Sequence, residues 1–594
     1  MLRKTLRETL CEMLHKHFRR ILRSILQSIL QSILRSILQS ILQSILQSIL
    51  QSILRSILRS ILRSILRSIL RSILRSILQS ILRSILQSTL QSILQSILQS
   101  ILRSILRSIL QSIFRRTYLC PVLKRNQILD IKIDRFAFGG NGIGLLNTDK
   151  GDFTVFVENT FPGQLVRAQV IKSDKRFANC KLIEVLENSP DEIDLPYQRI
   201  PGAPYAAWPI EKQHEAKKDS CLQLYKRIGK IENIDELFDE YIDSPSVWNY
   251  RNKMEYSFSA IRYDLPTKTE LDDFGLGFKH RGTWWMVENL DAESGLFDAT
   301  FENNLHRIRT FCIDSGLPAW HPPKREGFFR YVVVRKSFTH DLLLINLVTS
   351  SEGLEQFDRE GFVKLVLDIL GDRCGGIIHT LNDDTGDRAE PLNGSSHLLY
   401  GHSEIEEILL GLKFKVNMKS FFQTNPKSAE RLYTKAINYC NPQAVPDGYI
   451  LDLFCGTGTI GQLIAQKTSL PVVGVDIVEA AIEDAKKNAK ENNVSNIEFF
   501  AADVGKFLLE QPQFQNQINT LVLDPPRGGI SPKTLRKVIG LDAKRIVYIS
   551  CNPATQARDC ETLILSGYQL KKISFVDQFP HTSHLEAVAL FEKN

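Results

Sequence analysis

Paired cysteines are absent from this sequence of 594 residues. Its ten cysteines are scattered between Cys11 and Cys560, and no two have the Cys-x-x-Cys spacing of a metal or redox site. The start of the chain also lacks the short apolar core of a secretory signal. We therefore expect a reduced, cytoplasmic setting with free thiols in preference to a disulfide framework.

Long apolar runs are absent as well, because residues 21–114 repeat Ile-Leu-Gln/Arg-Ser and a transmembrane helix needs about 20 mostly apolar residues. On an α-helix the Ile-Leu pair advances by about 40° per repeat, so no fixed apolar face results. The basic start resembles a transit peptide, although Glu8 and Glu12 are untypical of one. We interpret residues 1–116 as a low-complexity extension that packs on nothing, and we expect no membrane association.

Acidic residues are scarce in this extension, so the net charge of +8 is unevenly distributed. Residues 1–116 hold 19 Lys and Arg against two Glu, a net charge of +17, which leaves −9 for residues 117–594. A mildly acidic body binds nucleic acid only through a local basic patch.

Residues 125–187 alternate apolar and polar residues in short runs that Gly and Asp interrupt, a pattern typical of strands and turns. Five short strands in about sixty residues is the size of an OB-like barrel. Four basic residues fall close together there, either as a solvated face or as a patch for nucleic acid: Lys172, Lys175, Arg176 and Lys181.

A glycine-rich turn lies between a predicted strand and a predicted helix in LDLFCGTGTIG (451–461). Its G-x-G-x-x-G spacing lets the backbone approach a ligand at a helix N-terminus. Asp476 ends the next strand, where a carboxylate can accept both hydroxyls of a ribose. Asp503 follows a third strand, either as an acceptor for an adenine amino group or as a solvated acid. A dinucleotide and S-adenosylmethionine are both compatible with these features.

TLVLDPPRGGI (520–530) separates the two cofactors, because a strand ends at Asp524 and two prolines then form a rigid lip that a dehydrogenase does not need. This order of motifs is that of class I methyltransferases. YQLKKISFVDQFP and HLEAVALFEK predict two long strands joined tightly, a closing antiparallel hairpin. We therefore predict a Rossmann-like α/β methyltransferase domain over 415–594, and a central α+β domain over 188–414 that links it to the barrel and binds RNA.

SCNPATQARD (550–559) places a thiol at the end of an apolar run. An unpaired cysteine is more often a small core residue than a reactive one. The end of a strand in a parallel sheet is nevertheless where ligands bind, so Cys551 is a candidate nucleophile. Asn552 and Pro553 would hold the following turn so that the sulfur faces the site.

Five motifs occur in order: FFQTN (421–425), LDLFCGTG, LDPPRGG, SCNPATQARD and HTSHLEAVALF. With them the chain resembles the RNA uracil-5-methyltransferases. FGGNGIG and FPGQLVRAQV make residues 125–187 similar to the TRAM domain, an RNA-binding barrel. The resemblance implies S-adenosylmethionine-dependent methylation of carbon 5 of a uridine in RNA. A barrel at the N-terminal side favours 23S ribosomal RNA over transfer RNA as the substrate.

The resemblance also implies residue roles. Carbon 5 of uracil is a poor nucleophile until a thiolate adds to carbon 6, which is the role implied for Cys551. Glu586 matches the position of the base that removes the carbon 5 proton. The residues implied to line the S-adenosylmethionine site are Gln423, Phe454, Thr459, Asp476, Asp503 and Asp524, and Asp524 is also a candidate to orient the uracil.

One stretch departs from the family. Many TRAM-bearing relatives carry cysteine ligands of an iron–sulfur cluster before a Gln-His pair. Here RIPGAPYAAWPIEKQHEAKK (199–218) keeps Gln213 and His214 but contains no cysteine. We therefore expect no iron–sulfur cluster and no other metal.

Two other interpretations are weaker. An amino-group methyltransferase needs no thiol at Cys551 and usually has an aromatic residue where this chain has Arg527. A non-catalytic RNA-binding protein has no reason to keep both Cys551 and Glu586. WNYRNKMEYSF (248–258) either binds an RNA loop or forms a structural strand. We expect the protein to be a monomer.

The repeat is predicted to be dispensable for catalysis, because it offers neither a catalytic group nor a face to bury. A truncated chain that starts at Leu119 should keep the RNA methylation rate of the full chain, measured by transfer of a labelled methyl group. A modest loss of affinity at low salt would reflect the missing arginines. Lost activity in a truncated chain of unchanged solubility would contradict the prediction.

Overall fold

The N-terminal barrel has six strands where five were predicted. The computed structural model describes residues 123–148, 151–444, 447–514 and 516–593, so the repeat over 1–116 lies outside the described residues. The barrel strands are β1 (Ile128–Lys132), β2 (Arg135–Phe136), β3 (Gly142–Thr148), β4 (Gly151–Val157), β5 (Leu165–Ser173) and β6 (Phe177–Glu187).

The barrel closes through the short break between β1 and β2. The strand order is β1-β5-β6-β4-β3-β2. Across the break, the Ile133 amide donates to Gln164 O and the Asp134 amide donates to Ile143 O. The chain thus changes partner from β5 to β3, which separates the two-residue β2 as the extra strand. The four predicted basic residues on β5, β6 and the turn between them are all exposed.

Residues 188–414 contribute strands to two different sheets, which corrects the prediction of one central domain over this range. The first part of the range follows the barrel directly. It contains α1 (Ile210–Arg227), α2 (Ile234–Leu237) and β7 (Phe238–Ile242). β7 forms the edge of the C-terminal sheet instead of joining the central one. Tyr225 of α1 is fully buried in the core of the C-terminal sheet. The central sheet therefore begins only after β7, although Ile200, Ala203 and Ala206 before it pack in the core of that sheet.

A seven-stranded sheet forms the central part of the chain. Its strands are β8 (Lys253–Asp264), β9 (Thr269–Lys279), β10 (Val287–Asn289), β11 (Phe329–Lys336), β12 (Leu343–Thr349), β13 (Cys374–Leu381) and β14 (Ser396–Gly401), in the order β10-β9-β8-β11-β12-β13-β14. The helices α3 (Ala299–Asn303), α4 (Leu305–Asp314) and α5 (Arg359–Leu370) pack on one face.

Most aromatic side chains of residues 248–258 pack in the hydrophobic core of this sheet. Tyr250, Tyr256 and Phe258 are 0–2% exposed and pack among the buried apolar residues under α3 to α5. Trp248 stacks on the His581 ring, with centroids 3.8 Å apart. Of the two interpretations of this stretch, the structure favours the structural strand.

The C-terminal sheet is doubly wound. After the hairpin β15 (Glu404–Leu409) and β16 (Leu412–Asn417), its elements are α6 (Pro426–Cys440), β17 (Tyr449–Leu453), α7 (Thr459–Ala465), β18 (Val472–Asp476), α8 (Glu479–Glu491), β19 (Ile497–Ala501), α9 (Val504–Glu510), β20 (Ile518–Leu523), α10 (Pro532–Gly540), β21 (Arg545–Ser550), α11 (Pro553–Leu565), β22 (Tyr568–Val576) and β23 (Glu586–Lys593). The order is β19-β18-β17-β20-β21-β23-β22-β7. Short 3₁₀ turns occur at Leu354–Gln356, Gly371–Arg373, Pro442–Ala444 and Pro512–Phe514.

The sheet has the predicted Rossmann-like core. β17 to β21 are parallel, whereas β23 runs antiparallel to both β21 and β22. The predicted tight join between the last two strands is wrong, because residues 577–585 separate them. No helix of the described ranges combines the length and apolarity needed to cross a membrane.

A buried polar network holds the connection between β22 and β23. Lys217 Nζ of α1 donates to Asp577 Oδ1 (2.8 Å) and to Phe579 O (3.0 Å), and His214 Nε2 lies 2.9 Å from Asp577 Oδ2. Burial alone would raise the pKa of Asp577, but Lys217 and His214 hold it below its usual value. The Gln213 side chain bonds both His581 Nδ1 and the His581 amide. Gln213 and His214 thus have structural roles here.

Lys217→Met is expected to destabilise the fold by about 3–5 kcal/mol, because it leaves the Asp577 carboxylate buried without its cation. Urea unfolding at pH 7 measures this change. Lys218→Met on the same helix, at a partly exposed position, is the control and should cost under about 1 kcal/mol. Equal effects of the two variants would contradict the network's role. Because the native pKa of Asp577 is lowered, the network's stabilisation is present above the carboxyl's usual pKa and is lost as pH falls through the native value.

Candidate active site

One cavity of about 1160 Å³ lies at the carboxyl edge of the C-terminal sheet. All eight residues singled out from the sequence line it: Gln423, Phe454, Thr459, Asp476, Asp503, Asp524, Cys551 and Glu586. Parallel strands end at this edge, which explains why residues from β17 to β21 meet there. Small-molecule sites usually measure about 300–1,000 Å³, so this cavity has room for more than one ligand group.

The glycine-rich turn after β17 shapes the cofactor end of the cavity. Gly458 has φ +73°, and a Cβ there would lie 2.5 Å from the Phe499 ring, so a side chain is excluded. Phe454 also has a positive φ of 68°, a conformation that costs a non-glycine residue about 1–3 kcal/mol. Its amide donates to Val475 O (2.8 Å), which holds the turn against β18.

Asp476 fixes the turn from the neighbouring strand. Its Oδ2 accepts from the Gly456 amide (3.0 Å), and its Oδ1 accepts from the Val478 amide (2.9 Å). Asp503 is exposed, and its Oδ1 accepts from the Lys506 amide as the N-cap of α9 (2.9 Å). Both carboxylates are thereby oriented at the cavity wall.

Gln423 and Thr459 are almost fully buried at the same cavity. Gln423 Oε1 accepts weakly from Gln578 Nε2 (3.4 Å), so it contacts the connection between β22 and β23. The Thr459 hydroxyl lies 3.4 Å from the Thr457 hydroxyl in the glycine-rich turn.

Cys551 and Glu586 are brought together by strand pairing. Ser550, the last residue of β21, pairs with Ala587, so Cys551 follows and Glu586 precedes this pair. Asn552 caps α11 by accepting from the Ala554 amide, and its Nδ2 donates to Arg527 O (3.0 Å). The turn after Cys551 is thus tied to the Pro-Pro lip.

Burial raises the pKa of each acid in this part of the cavity, and neighbouring carboxylates add to the effect at Cys551 and Glu586. Burial, with Glu586 and Asp524 nearby, raises the pKa of the Cys551 thiol to about 11, and Arg527 acts against them. Burial raises the pKa of Asp524 to about 7. Burial, together with Asp524, raises the pKa of Glu586 well above its usual value. Cys551 is therefore a thiol at neutral pH in the free protein.

The eight cysteines of the described residues differ in their exposure to solvent. Of these eight, six are buried, and the partly exposed ones, Cys455 and Cys551, both line the cavity. Within the described ranges, no group of three or more His, Cys, Asp or Glu side chains is arranged to hold a metal ion.

The residues present fit S-adenosylmethionine. A Cβ on Gly456 would meet no atom within 4 Å, so the backbone of this cavity-lining residue leaves open space for a ligand. Thr424 Oγ1, in the cavity wall, is buried and has no hydrogen-bond partner among the described residues. An unpaired buried hydroxyl is costly unless a ligand satisfies it. Asp476, at a strand end, has the chemistry to bind a ribose.

Four further cavity residues were not predicted as site residues. Thr424 and Tyr433 line the wall beside Gln423, and the Tyr433 hydroxyl bonds to the Gln423 side chain. Arg527 is exposed after the Pro-Pro pair, and the exposed His584 precedes Glu586. Arg527 and His584 lie inside motifs recognised in the sequence, and these motifs could have identified them as site residues. No motif in the sequence around Tyr433 indicates that it lines the cavity.

The raised thiol pKa predicts how Cys551 reacts in the free protein. Its alkylation by iodoacetamide should accelerate about tenfold per pH unit between pH 7 and 9.5, because the thiolate fraction rises in that proportion below the pKa. Mass spectrometry of the Cys551 peptide measures the rate, and Cys551→Ala identifies the signal. A plateau below pH 8.5 would show that the pKa is not raised.

Comparison with known proteins agrees with this geometry. A family model described as tRNA (Uracil-5-)-methyltransferase matches residues 410–594, and a TRAM domain model matches residues 122–183. An RNA methyltransferase of Clostridium tetani is 35% identical over 472 residues, covering 78% of this chain and 98% of the relative. Another from Caldanaerobacter subterraneus is 35% identical over 476 residues, covering 80% and 100%.

Among solved structures, the tRNA (uracil-54, C5)-methyltransferase of Pyrococcus abyssi in complex with S-adenosyl-L-homocysteine matches with a TM-score of 0.58 at 25% identity. The match covers 78% of this chain and all of that one. Three findings lead to one conclusion: the sequence match over nearly the whole length of the relatives, the TRAM barrel, and the cavity at the carboxyl edge of the C-terminal sheet. This chain belongs to the RNA uracil-5-methyltransferase family and is an S-adenosylmethionine-dependent RNA methyltransferase.

Proposed function

We propose that the protein methylates carbon 5 of a uridine in RNA through a covalent adduct between Cys551 and carbon 6 of the base. The main support for this reaction is that Cys551 and Glu586 lie side by side at the ends of paired strands. Both line the cavity that also contains the residues assigned to S-adenosylmethionine. A nucleophile and a base beside one methyl-donor site are what this reaction requires.

The first step forms a bond between Cys551 Sγ and carbon 6. The electrons of the carbon 5–carbon 6 double bond move toward the carbonyl at carbon 4, so carbon 5 becomes enolate-like. Because the thiol is protonated at neutral pH, its proton must leave during this step. Asp524, whose pKa is about 7, is partly ionised at neutral pH and is the acceptor that we assign.

When bound, S-adenosylmethionine would supply the methyl group that carbon 5 takes up, its sulfur–methyl bond breaking as the new bond forms and S-adenosylhomocysteine leaving. We assign its binding to Gln423, Phe454, Thr459, Asp476, Asp503 and Asp524. Asp476 would bind the ribose hydroxyls and Asp503 the adenine amino group, while Phe454 lies along the wall of the cavity. In this assignment Asp524 orients the uracil as well.

The last step removes the carbon 5 proton. Glu586 takes that proton, the electrons of the carbon–hydrogen bond re-form the double bond, and the sulfur of Cys551 leaves. Burial and the neighbouring Asp524 raise the pKa of Glu586, which makes its carboxylate a stronger base than an exposed one. To act as the base, Glu586 must be ionised when the adduct forms, a state that its raised pKa opposes and that the charge of Arg527 favours.

For the RNA, we propose 23S ribosomal RNA, because a TRAM barrel with an exposed basic patch precedes the catalytic part. A transfer RNA is the second candidate, because the solved Pyrococcus abyssi protein that matches this chain acts on uracil 54 of tRNA. Either RNA must present the uridine unstacked, since carbon 6 is shielded inside a helix. Mass-spectrometric mapping of 5-methyluridine in both RNAs, with and without the gene, distinguishes them.

The two catalytic roles predict different arrests. Cys551→Ala should stop the reaction before any covalent bond forms. Glu586→Gln should stop it after methyl transfer, with RNA still bound to sulfur, and slow the release of product by about 100- to 10,000-fold. Denaturing electrophoresis with methyl-labelled cofactor should show a labelled protein–RNA band for Glu586→Gln alone.

Two matched variants serve as controls. Glu592→Gln changes a carboxylate at the other end of β23, where Glu592 accepts from Arg545 Nη2 (2.8 Å). Cys374→Ala changes a buried thiol of the central sheet. Both should turn over RNA at the wild-type rate. If Glu586→Gln binds RNA and cofactor normally but accumulates no adduct, Glu586 is not the base.

A further inference from the structure

A second cavity, of about 370 Å³, lies on the face of the central sheet opposite the helices α3 to α5. Its floor is a row of directly paired residues across five neighbouring strands, from β8 to β14: Glu255, Val333, Asn346, Ile378 and Leu398. One face of a regular sheet thus forms a continuous platform under this cavity.

The second cavity adjoins the active-site cavity. Its walls include residues 389–391 and 417–419, and Glu390, Asn417 and Lys419 line both cavities. The chain continues from Lys419 directly into residues 420–424, which line the active site. The two cavities are therefore neighbours, separated by no more than the side chains of these three shared residues.

The chemistry of the floor suits a flat, polar-edged group. Asn346 Oδ1 accepts from Thr380 Oγ1 (2.8 Å), whereas the Asn346 amide nitrogen donates to no side chain or backbone atom of the described ranges. Val333 and Ile378, one on each side of Asn346, provide apolar surface. An amide between apolar side chains can hydrogen-bond the edge of a base whose faces contact carbon atoms.

Arg335 lies behind the segment that the two cavities share, and its own side chain lines neither of them. It is 3% exposed and lies two residues from Val333 on β11, paired with Lys253 of the second cavity. Its Nη2 donates to the carbonyl of Ser420, an active-site residue (2.8 Å), while its Nε and Nη1 have no partner among the described residues. A buried cation with unpaired donors is costly unless an anion approaches it.

We propose that the second cavity binds the base of a nucleotide adjacent to the target uridine in the same RNA, with the intervening phosphate near Lys419, which lines both cavities. This inference rests on the proposed function and adds a sequence-reading subsite to it. A uridine that enters the active site is unstacked from its neighbour, and the neighbour's base is then free to lie on the platform. Single-stranded RNA is recognised through such splayed bases.

The test uses the full-length protein and the shortest RNA oligonucleotide that the wild type methylates. An abasic nucleotide replaces each neighbour of the target uridine in turn, and fluorescence anisotropy measures the dissociation constant. One abasic position should weaken wild-type binding by about 5- to 100-fold, the range of a single bound base. This scan requires no protein variant.

Ser396→Trp fills the second cavity from its exposed rim, and Ser395→Trp, the next exposed residue and outside the cavity lining, is the matched control. Ser396→Trp should weaken binding of intact RNA by the same factor as the abasic position, and the abasic position should then have no further effect. Its KM for S-adenosylmethionine should be unchanged. Ser395→Trp should behave like the wild type.

The outcomes separate this inference from the function on which it depends. If the wild type forms no 5-methyluridine in any RNA, the proposed function fails and the subsite with it. If the wild type methylates RNA but no abasic position matters, the subsite alone is wrong. The same holds if Ser396→Trp and Ser395→Trp bind RNA equally, or if the abasic loss persists unchanged in Ser396→Trp.

Discussion

The antiparallel direction of β23 is the constraint on which the active site depends. Parallel strands deliver their last residues to one edge of the sheet, so Asp476, Asp524 and Cys551 meet there. A further parallel strand would place its first residue at the opposite edge. Because β23 is reversed, its first residue, Glu586, lies beside Cys551. The nine-residue connection before β23 makes this reversal possible, and the Lys217–Asp577 pair holds that connection.

The cavity concentrates acids that oppose one another's ionisation. Asp452 under the glycine-rich turn has its pKa raised to about 7 by burial and by Asp524, and the acids around Cys551 are raised as well. Arg527 is the positive charge that acts on both Cys551 and Glu586. The free protein therefore keeps Cys551 as a thiol, which is less prone to oxidation or alkylation than a thiolate.

The sequence predicted the features that depend on short stretches. The glycine-rich turn, the acidic strand ends and the Pro-Pro lip each combine local backbone requirements with a ligand-binding position, which marked Asp476, Asp503, Asp524 and Cys551. The family resemblance added Gln423, Phe454, Thr459 and Glu586, and all eight line the cavity. Features that depend on distant pairing were missed. β7 pairs with β22 more than 300 residues later, and Gln213 bonds to His581 at similar range. Tyr433 and the row around Asn346 likewise become neighbours of the sites only through tertiary packing.

The position of β7 at the edge of the C-terminal sheet also affects when the sheet can form during synthesis and where the chain can be divided. Residues 238–242 leave the ribosome long before β22, the strand that they pair with, so the catalytic sheet cannot be completed until almost the whole chain has been synthesised. The catalytic part also cannot be exchanged between proteins by a simple cut near residue 415, because its edge strand would stay behind. The five residues of β7 thus tie the part of the chain before the central sheet to the C-terminal sheet.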